Sequence, residues 1–270
     1  MSVKNIFDGV EDTLYIPLIA RIYVSERFPE FFYDDKALSL KQYIAEDYIK
    51  NNSNEYFNMA SVCRQYVIDK KVIEFIKNHS QSNIVFLGSG LETSYNRIGN
   101  TNDNFYHIDL PNVIEQRKNL LGNAENEVLI AEDMFSLDWV KKIDLSLPTI
   151  ITVSGVYQYF DESKVVAMID KMRTLIPKGE LVFDATNSKG LKYANKYVQK
   201  TGNKNACMYF CIDDINRFAD MTGTKLINVN GFYDEALKYC KGLNIKTRIY
   251  MFFSDRLSRT MVIHLSLNQL

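Results

Sequence analysis

The chain has 270 residues, 46% of them hydrophobic, which is enough to bury a substantial core as one large domain. A net charge of -1 gives no electrostatic case for binding nucleic acid or an acidic membrane. No cationic, apolar leader opens the sequence and no apolar run is long enough to cross a bilayer, so a cytoplasmic protein is expected.

The first 60 residues are helical in pattern and aromatic, with Tyr15, Tyr23, Phe28, Phe31, Phe32 and Tyr33. They are expected to form a helical cap, residues 1–62, over the carboxyl ends of the strands, where open α/β sheets bind ligands. The same aromatics would serve equally well as anchors of the cap to the core.

From residue 63 to 270 the pattern is that of a doubly wound, Rossmann-like α/β sheet. Val67, Ile68, Val72, Ile73 and Ile76 recur at helical spacing between Cys63 and Lys77. The strand IVFL follows, then NFYHI, a helix from Val113 to Leu121 opened by Pro111, EVLIA at 127–131 and TIITV at 149–153. Asp161 is expected to cap a helix through Leu175, Pro177-Lys178-Gly179 breaks it, and ELVFD supplies a fifth strand. A polar, Asn- and Lys-rich stretch at 186–224 reads as an insertion, with a helix near Asp213 to Met221. KLINV and MVIHLSL supply two final strands. Cys63, Cys207, Cys211 and Cys240 lack paired spacing and His79, His107 and His264 are far apart, so neither a metal site nor a disulfide framework is expected.

The chemistry is concentrated at 84–110. The first strand stops in Gly88-Ser89-Gly90, where the missing side chains let backbone pass close to a ligand. The second strand ends in Asp109, whose carboxylate can accept from two ribose hydroxyls. A dinucleotide fingerprint would place a third glycine where Thr93 stands, and Glu92 would disfavour a pyrophosphate. S-adenosylmethionine has no phosphate and is cationic at its sulfonium and ammonium groups, so carboxylates near the turn suit it better.

With those elements in place, the ordered set GVEDTLYIPLIAR, DDKAL, Arg64-Gln65-Tyr66, FLGSGLET, YHIDLPNVIEQRKNLL, AEDMFSLDW, SGVYQYF and LVFDATN resembles the leucine carboxyl methyltransferase family. It is most similar to the bacterial branch of polyketide-type O-methyltransferases, over residues 8–190. The resemblance implies a seven-stranded sheet that binds S-adenosylmethionine. Arg64 would hold the donor's carboxylate, which a forked guanidinium pairs better than an ammonium does. Gly88, Ser89 and Gly90 would carry its methionine portion, Asp109 with Leu110 its ribose, and Asp133 with Met134 its adenine. Without the resemblance, Arg64 reads as a solvated helix residue, Gly88 and Gly90 as a tight turn, and Asp109 and Asp133 as helix caps.

One position departs from the family. Its usual glutamate before the glycine of SGVYQYF is Ser154 here, which removes a carboxylate that would face the donor's ammonium. Asp184 and Glu92 are candidates to replace it. Tyr157 and Tyr159 are expected to shape the acceptor pocket, or else to pack in the core. The expected function is methyl transfer to a hydroxyl or carboxylate of a small molecule, with no nucleic-acid or membrane partner; a homodimer is compatible with the sequence. The alternative, motivated by Ser154, is a non-catalytic protein that binds S-adenosylmethionine beside a degenerate acceptor site.

Overall fold

Seven strands form one sheet in the order β3-β2-β1-β4-β5-β7-β6. The computed structural model describes residues 12–44, 54–99, 101–200 and 207–268. The strands are β1 Asn83–Leu87, β2 Asn104–Asp109, β3 Glu127–Ala131, β4 Thr149–Val153, β5 Gly179–Thr186, β6 Lys225–Asn230 and β7 Thr260–Ser266. Strands β1 to β5 pair in parallel, while β7 lies antiparallel between β5 and β6.

Both faces of the sheet are covered, which is why β1 reads as an unbroken apolar run instead of an alternating one. Successive side chains point to opposite faces. Val85 and Leu87 therefore join a core with Ile151, Phe183 and the Glu162–Leu175 helix, through Val165, Ile169 and Met172. Ile84 and Phe86 join a second core with Val182, Val262 and the Glu55–Lys77 helix, through Val62, Cys63, Ile68 and Val72. The four cysteines are unpaired, and Cys63 and Cys240 are buried among apolar neighbours.

The helix expected from Cys63 begins at Glu55, capped by the Asn54 side chain, so it runs straight through the 62/63 division drawn from sequence. The Asp12–Arg27 helix packs along it. Phe28, Phe31 and Phe32 are buried in the same core as that long helix, so these three aromatics act as anchors, while Tyr33 is exposed. Residues 9–11 of the first motif and residues 201–206 of the Asn- and Lys-rich stretch lie outside the described residues.

Two further differences concern local structure. Asp161 stands at the N-cap position but its side chain makes no capping hydrogen bond. Helices at Ser188–Lys200, Asp234–Tyr239 and Ile245–Arg256, none of them among the elements expected from sequence, flank the last three strands.

Candidate functional site

The turn after β1 is held by β2: the Gly88 and Ser89 amides both donate to the Ile108 carbonyl, at 2.9 and 3.2 Å. Gly88 has φ +63°, and a Cβ there would come within 2.5 Å of Val156 in the turn after β4. A side chain at residue 88 is thus excluded both by conformation and by the neighbouring turn. Leu14 of the first helix reaches Gly90, and Arg21 donates to the Leu91 carbonyl at 2.7 Å, so the Asp12–Arg27 helix touches this turn.

Asp109 closes the turn from the tip of β2. Its Oδ2 accepts from the Gly90 amide and its Oδ1 from the Leu110 amide, both at 2.8 Å. Burial pushes its pKa up in spite of those two bonds. Each oxygen keeps a further lone pair for a ligand. Leu110 itself is half exposed. At the next strand tip the Glu132 amide donates to the Asp109 carbonyl at 2.9 Å, which places Asp133 alongside. Asp133 is exposed and accepts from the Phe135 amide at 2.9 Å, while Met134 is buried. Glu132 is paired with Lys142 at 2.5 Å, whereas Asp133 has no ion pair among the described residues.

A second group assembles at the ends of β4 and β5. Arg64 Nη1 lies 3.3 Å from Asp184 Oδ2, and Asp184 Oδ1 accepts from the Gly155 amide at 2.6 Å. Gly155 has φ +72°, and a Cβ there would sit 2.7 Å from Arg64 Nη2. The guanidinium rests against bare backbone that any other residue would cover. Its Nε is buried without a hydrogen-bond partner among the described residues, as is the Ser89 hydroxyl. Ser154 donates to Gln65 Oε1 at 3.1 Å, and Gln65 Nε2 donates to Asp69 at 3.0 Å and Ser94 at 2.9 Å.

Glu92 is not placed as expected. Its carboxylate lies 2.7 Å from Arg97 and 3.7 Å from Arg21. Although burial raises its pKa, those two guanidiniums outweigh the effect and hold it well below the usual carboxylate range. It is therefore engaged inside the protein and does not serve as the replacement for the family's glutamate. The charge argument against a pyrophosphate at this turn also loses its basis, because the negative charge is matched locally. Arg97 additionally binds Asp34 at 2.6 Å and Asp69 at 2.8 Å, tying the N-terminal segment to the long helix. Arg117 donates to the Glu92 carbonyl at 2.6 Å and braces the same loop from the Pro111–Leu121 helix.

Tyr157 and Tyr159 stand at the ends of one short turn after β4. Tyr157 is buried, its ring 5.4 Å from Phe183 and 6.1 Å from Phe210, and burial raises the pKa of its hydroxyl. Tyr159 is only half buried. Gln65, Asp69 and Arg97 are not among the residues expected from sequence to serve the site. The signal for Gln65 was its place in the Arg64-Gln65-Tyr66 motif, whereas the partners of Arg97 are too far apart in sequence to be read from it.

The family model for leucine carboxyl methyltransferase matches residues 17–173, more than half of the chain. The tetracenomycin polyketide synthesis O-methyltransferase TcmP of Streptomyces glaucescens is 23% identical over 192 residues, 71% of each chain. Among solved structures, a duf574 family protein from Streptomyces avermitilis superposes with a TM-score of 0.60 at 12% identity, over 93% of this chain and 97% of that one. The magnesium protoporphyrin IX methyltransferase of Synechocystis PCC 6803, with bound S-adenosylhomocysteine, gives 0.52 at 12% identity, over 92% and 97%. With motifs, sheet order and family model in agreement, the chain belongs to the leucine carboxyl methyltransferase family.

Proposed function

We propose that this methyltransferase transfers the methyl group of S-adenosylmethionine to an oxygen of a small-molecule acceptor, in the cytoplasm. Four unpaired cysteines suit that reducing compartment, and the similarity to TcmP supports an oxygen acceptor. The observation that carries the reading is the meeting of Arg64, Gly155 and Asp184 at the carboxyl ends of β4 and β5, at the same end of the sheet as Gly88, Gly90 and Asp109.

The donor set fits the cofactor. Arg64 presents a guanidinium for a carboxylate and Asp184 a carboxylate for an ammonium, two charges already side by side as a zwitterion requires. Asp109 retains acceptor capacity for a ribose diol, and Asp133, exposed at the next strand tip, for an amine. The bound cofactor supplies an electrophilic methyl carbon on a sulfonium. What the chain contributes is position: these residues orient the donor, and the aromatic turn beyond β4 flanks the space next to it. Among the described residues no histidine joins this site: His107 and His264 are buried against Glu127 and Glu180, and His79 bonds the Phe75 carbonyl. An acceptor that is already ionised, such as a carboxylate or an acidic phenol, therefore suits the site better than an alcohol that needs a base.

The test is calorimetry with S-adenosylmethionine followed by transfer of a labelled methyl group to a panel of aromatic phenols and carboxylic acids. Binding with transfer supports the proposal. Binding without transfer to any member of the panel would favour the non-catalytic alternative, for which Ser154 remains the motivating residue.

A further inference from the structure

The Ile245–Arg256 helix is packed the wrong way round for a helix facing water. It rests on the body of the protein through Thr247, Met251 and Ser254. Its outer face carries Ile245, Ile249, Phe252, Phe253 and, one residue beyond the end, Leu257. These fall at intervals of three, four and eight, so they form one continuous crest. Ile245 is 68% exposed, Phe252 51% and Phe253 48%. Isolated exposed apolar residues need no explanation, but a contiguous row of large ones, on a helix whose inward face has only Met251 as a large apolar anchor, does.

The charge around the crest is one-sided. Between residues 234 and 259 the chain carries Lys238, Lys241, Lys246, Arg248, Arg256 and Arg259 against Asp234, Glu235 and Asp255, and Glu235 is paired with Lys238 at 3.1 Å. The Asp255 carboxylate is turned inward, accepting from the Phe232 and Tyr233 amides at 2.9 and 2.7 Å. Arg248 is directed to the Leu237 and Cys240 carbonyls. Lys241, Lys246 and Arg256 are left exposed beside the crest. The overall charge of -1 averages over this local excess and conceals it.

We propose that this helix is a docking surface for an anionic lipid bilayer. An apolar crest with the exposed cations Lys241, Lys246 and Arg256 beside it, and no outward acid on the Ile245–Arg256 helix itself, matches a membrane interface in which apolar side chains enter the acyl boundary and ammonium and guanidinium groups meet lipid phosphates. Tyr239 and Tyr250, both exposed, supply the amphipathic rings that settle at headgroup depth. A second copy of the chain is a poorer occupant, because antiparallel crest-to-crest packing would set Lys246 of each copy against Arg256 of the other. The surface is linked to the end of β5: the Asn187 side chain donates to the Leu257 carbonyl at 3.0 Å, three residues beyond Asp184. A bilayer held on the crest would therefore lie near the site where the acceptor is methylated.

The test is flotation of the intact protein with vesicles of phosphatidylcholine containing about one third phosphatidylglycerol, beside vesicles of phosphatidylcholine alone. The expected result is binding to the anionic vesicles only, weakened by salt. Lys246→Gln with Arg256→Gln should weaken it roughly thirtyfold, and Phe252→Ser with Phe253→Ser at least tenfold, with thermal midpoint and donor affinity unchanged. No binding by the wild type, or equal binding to neutral vesicles, overturns the proposal. So does sedimentation showing a dimer that the Phe252→Ser, Phe253→Ser variant dissociates while vesicle binding is absent. If the double serine variant fails to fold, the glutamine pair still decides the question.

Discussion

Arg64 and Asp184, 120 positions apart in sequence, meet at 3.3 Å over the bare backbone of Gly155. The pair stands where the family's glutamate is missing, since Ser154 precedes Gly155 and is itself bonded to Gln65. Asp184→Asn keeps the shape of the side chain and its bond from the Gly155 amide but removes the charge. Donor affinity should fall by about 1.5–3 kcal/mol by calorimetry, the worth of one charge-assisted hydrogen bond. Ser154→Glu should fail to tighten donor binding, because a second carboxylate beside Asp184 repels the first. Tighter binding by Ser154→Glu together with undiminished binding by Asp184→Asn would assign the ammonium elsewhere.

Asp109 holds the protein's own turn as well as facing the candidate site. With the Gly90 and Leu110 amides both losing a charged acceptor, Asp109→Ala should lower stability as well as affinity. Asp109→Asn preserves the size and should lose about 1.5–3 kcal/mol of donor affinity with a smaller stability change. Because burial raises the Asp109 pKa, wild-type affinity should begin to fall on acidification before an ordinary aspartate would protonate. A donor affinity in Asp109→Asn equal to that of the wild type would remove Asp109 from the site.

Arg97→Met should be among the most destabilising single changes in the chain. It leaves Asp34, Asp69 and Glu92 buried with one guanidinium removed, a loss of about 3–5 kcal/mol in a urea titration. Arg97→Lys should recover only part of it, since one ammonium cannot meet three carboxylates as a fork does.

Acid should destabilise the fold through His107. Burial, and then the nearby Arg117 guanidinium, push its pKa down to about 4. The ring stays neutral in the folded chain while it takes up a proton in the unfolded one near its ordinary value of about 6.5, so stability is lost as the pH falls between those values. For this fully buried group the loss reaches roughly 3 kcal/mol. Asp255 acts in the opposite sense: burial raises its pKa to about 6, so it gains a proton first in the folded chain and offsets part of the loss. His107→Gln should flatten the stability profile between pH 6.5 and 4, measured by denaturant titration; an unchanged slope would mean that the imidazole is not the group responsible.

Strand β4 was legible to the residue, because a buried parallel strand is a short apolar run bounded by breakers, and β3 was legible too from its run EVLIA, although it lies at the sheet edge with only Ile130 buried. The Ile245–Arg256 helix carries Ile245, Ile249, Phe252 and Phe253 at helical spacing, but that spacing does not reveal that the apolar face points outward. The Gly88-Gly90 turn and Asp109 were visible because they are local. The destination of Glu92 was not, since Arg21 lies 71 positions before it and only the fold brings the two together.

The insertion of β7 between β5 and β6 has a consequence for how the chain is made. Residues 260–266 are made after both β5 and β6, yet they take the place between those two strands. Until they arrive, the edge of β5 has no partner and β6 has no neighbour to pair with. The parallel strands from β1 to β5 can assemble during synthesis, but the Arg64–Asp184 end of the sheet then borders an open hydrogen-bonding edge. In a nascent chain that edge is the place where mispairing with another copy would begin.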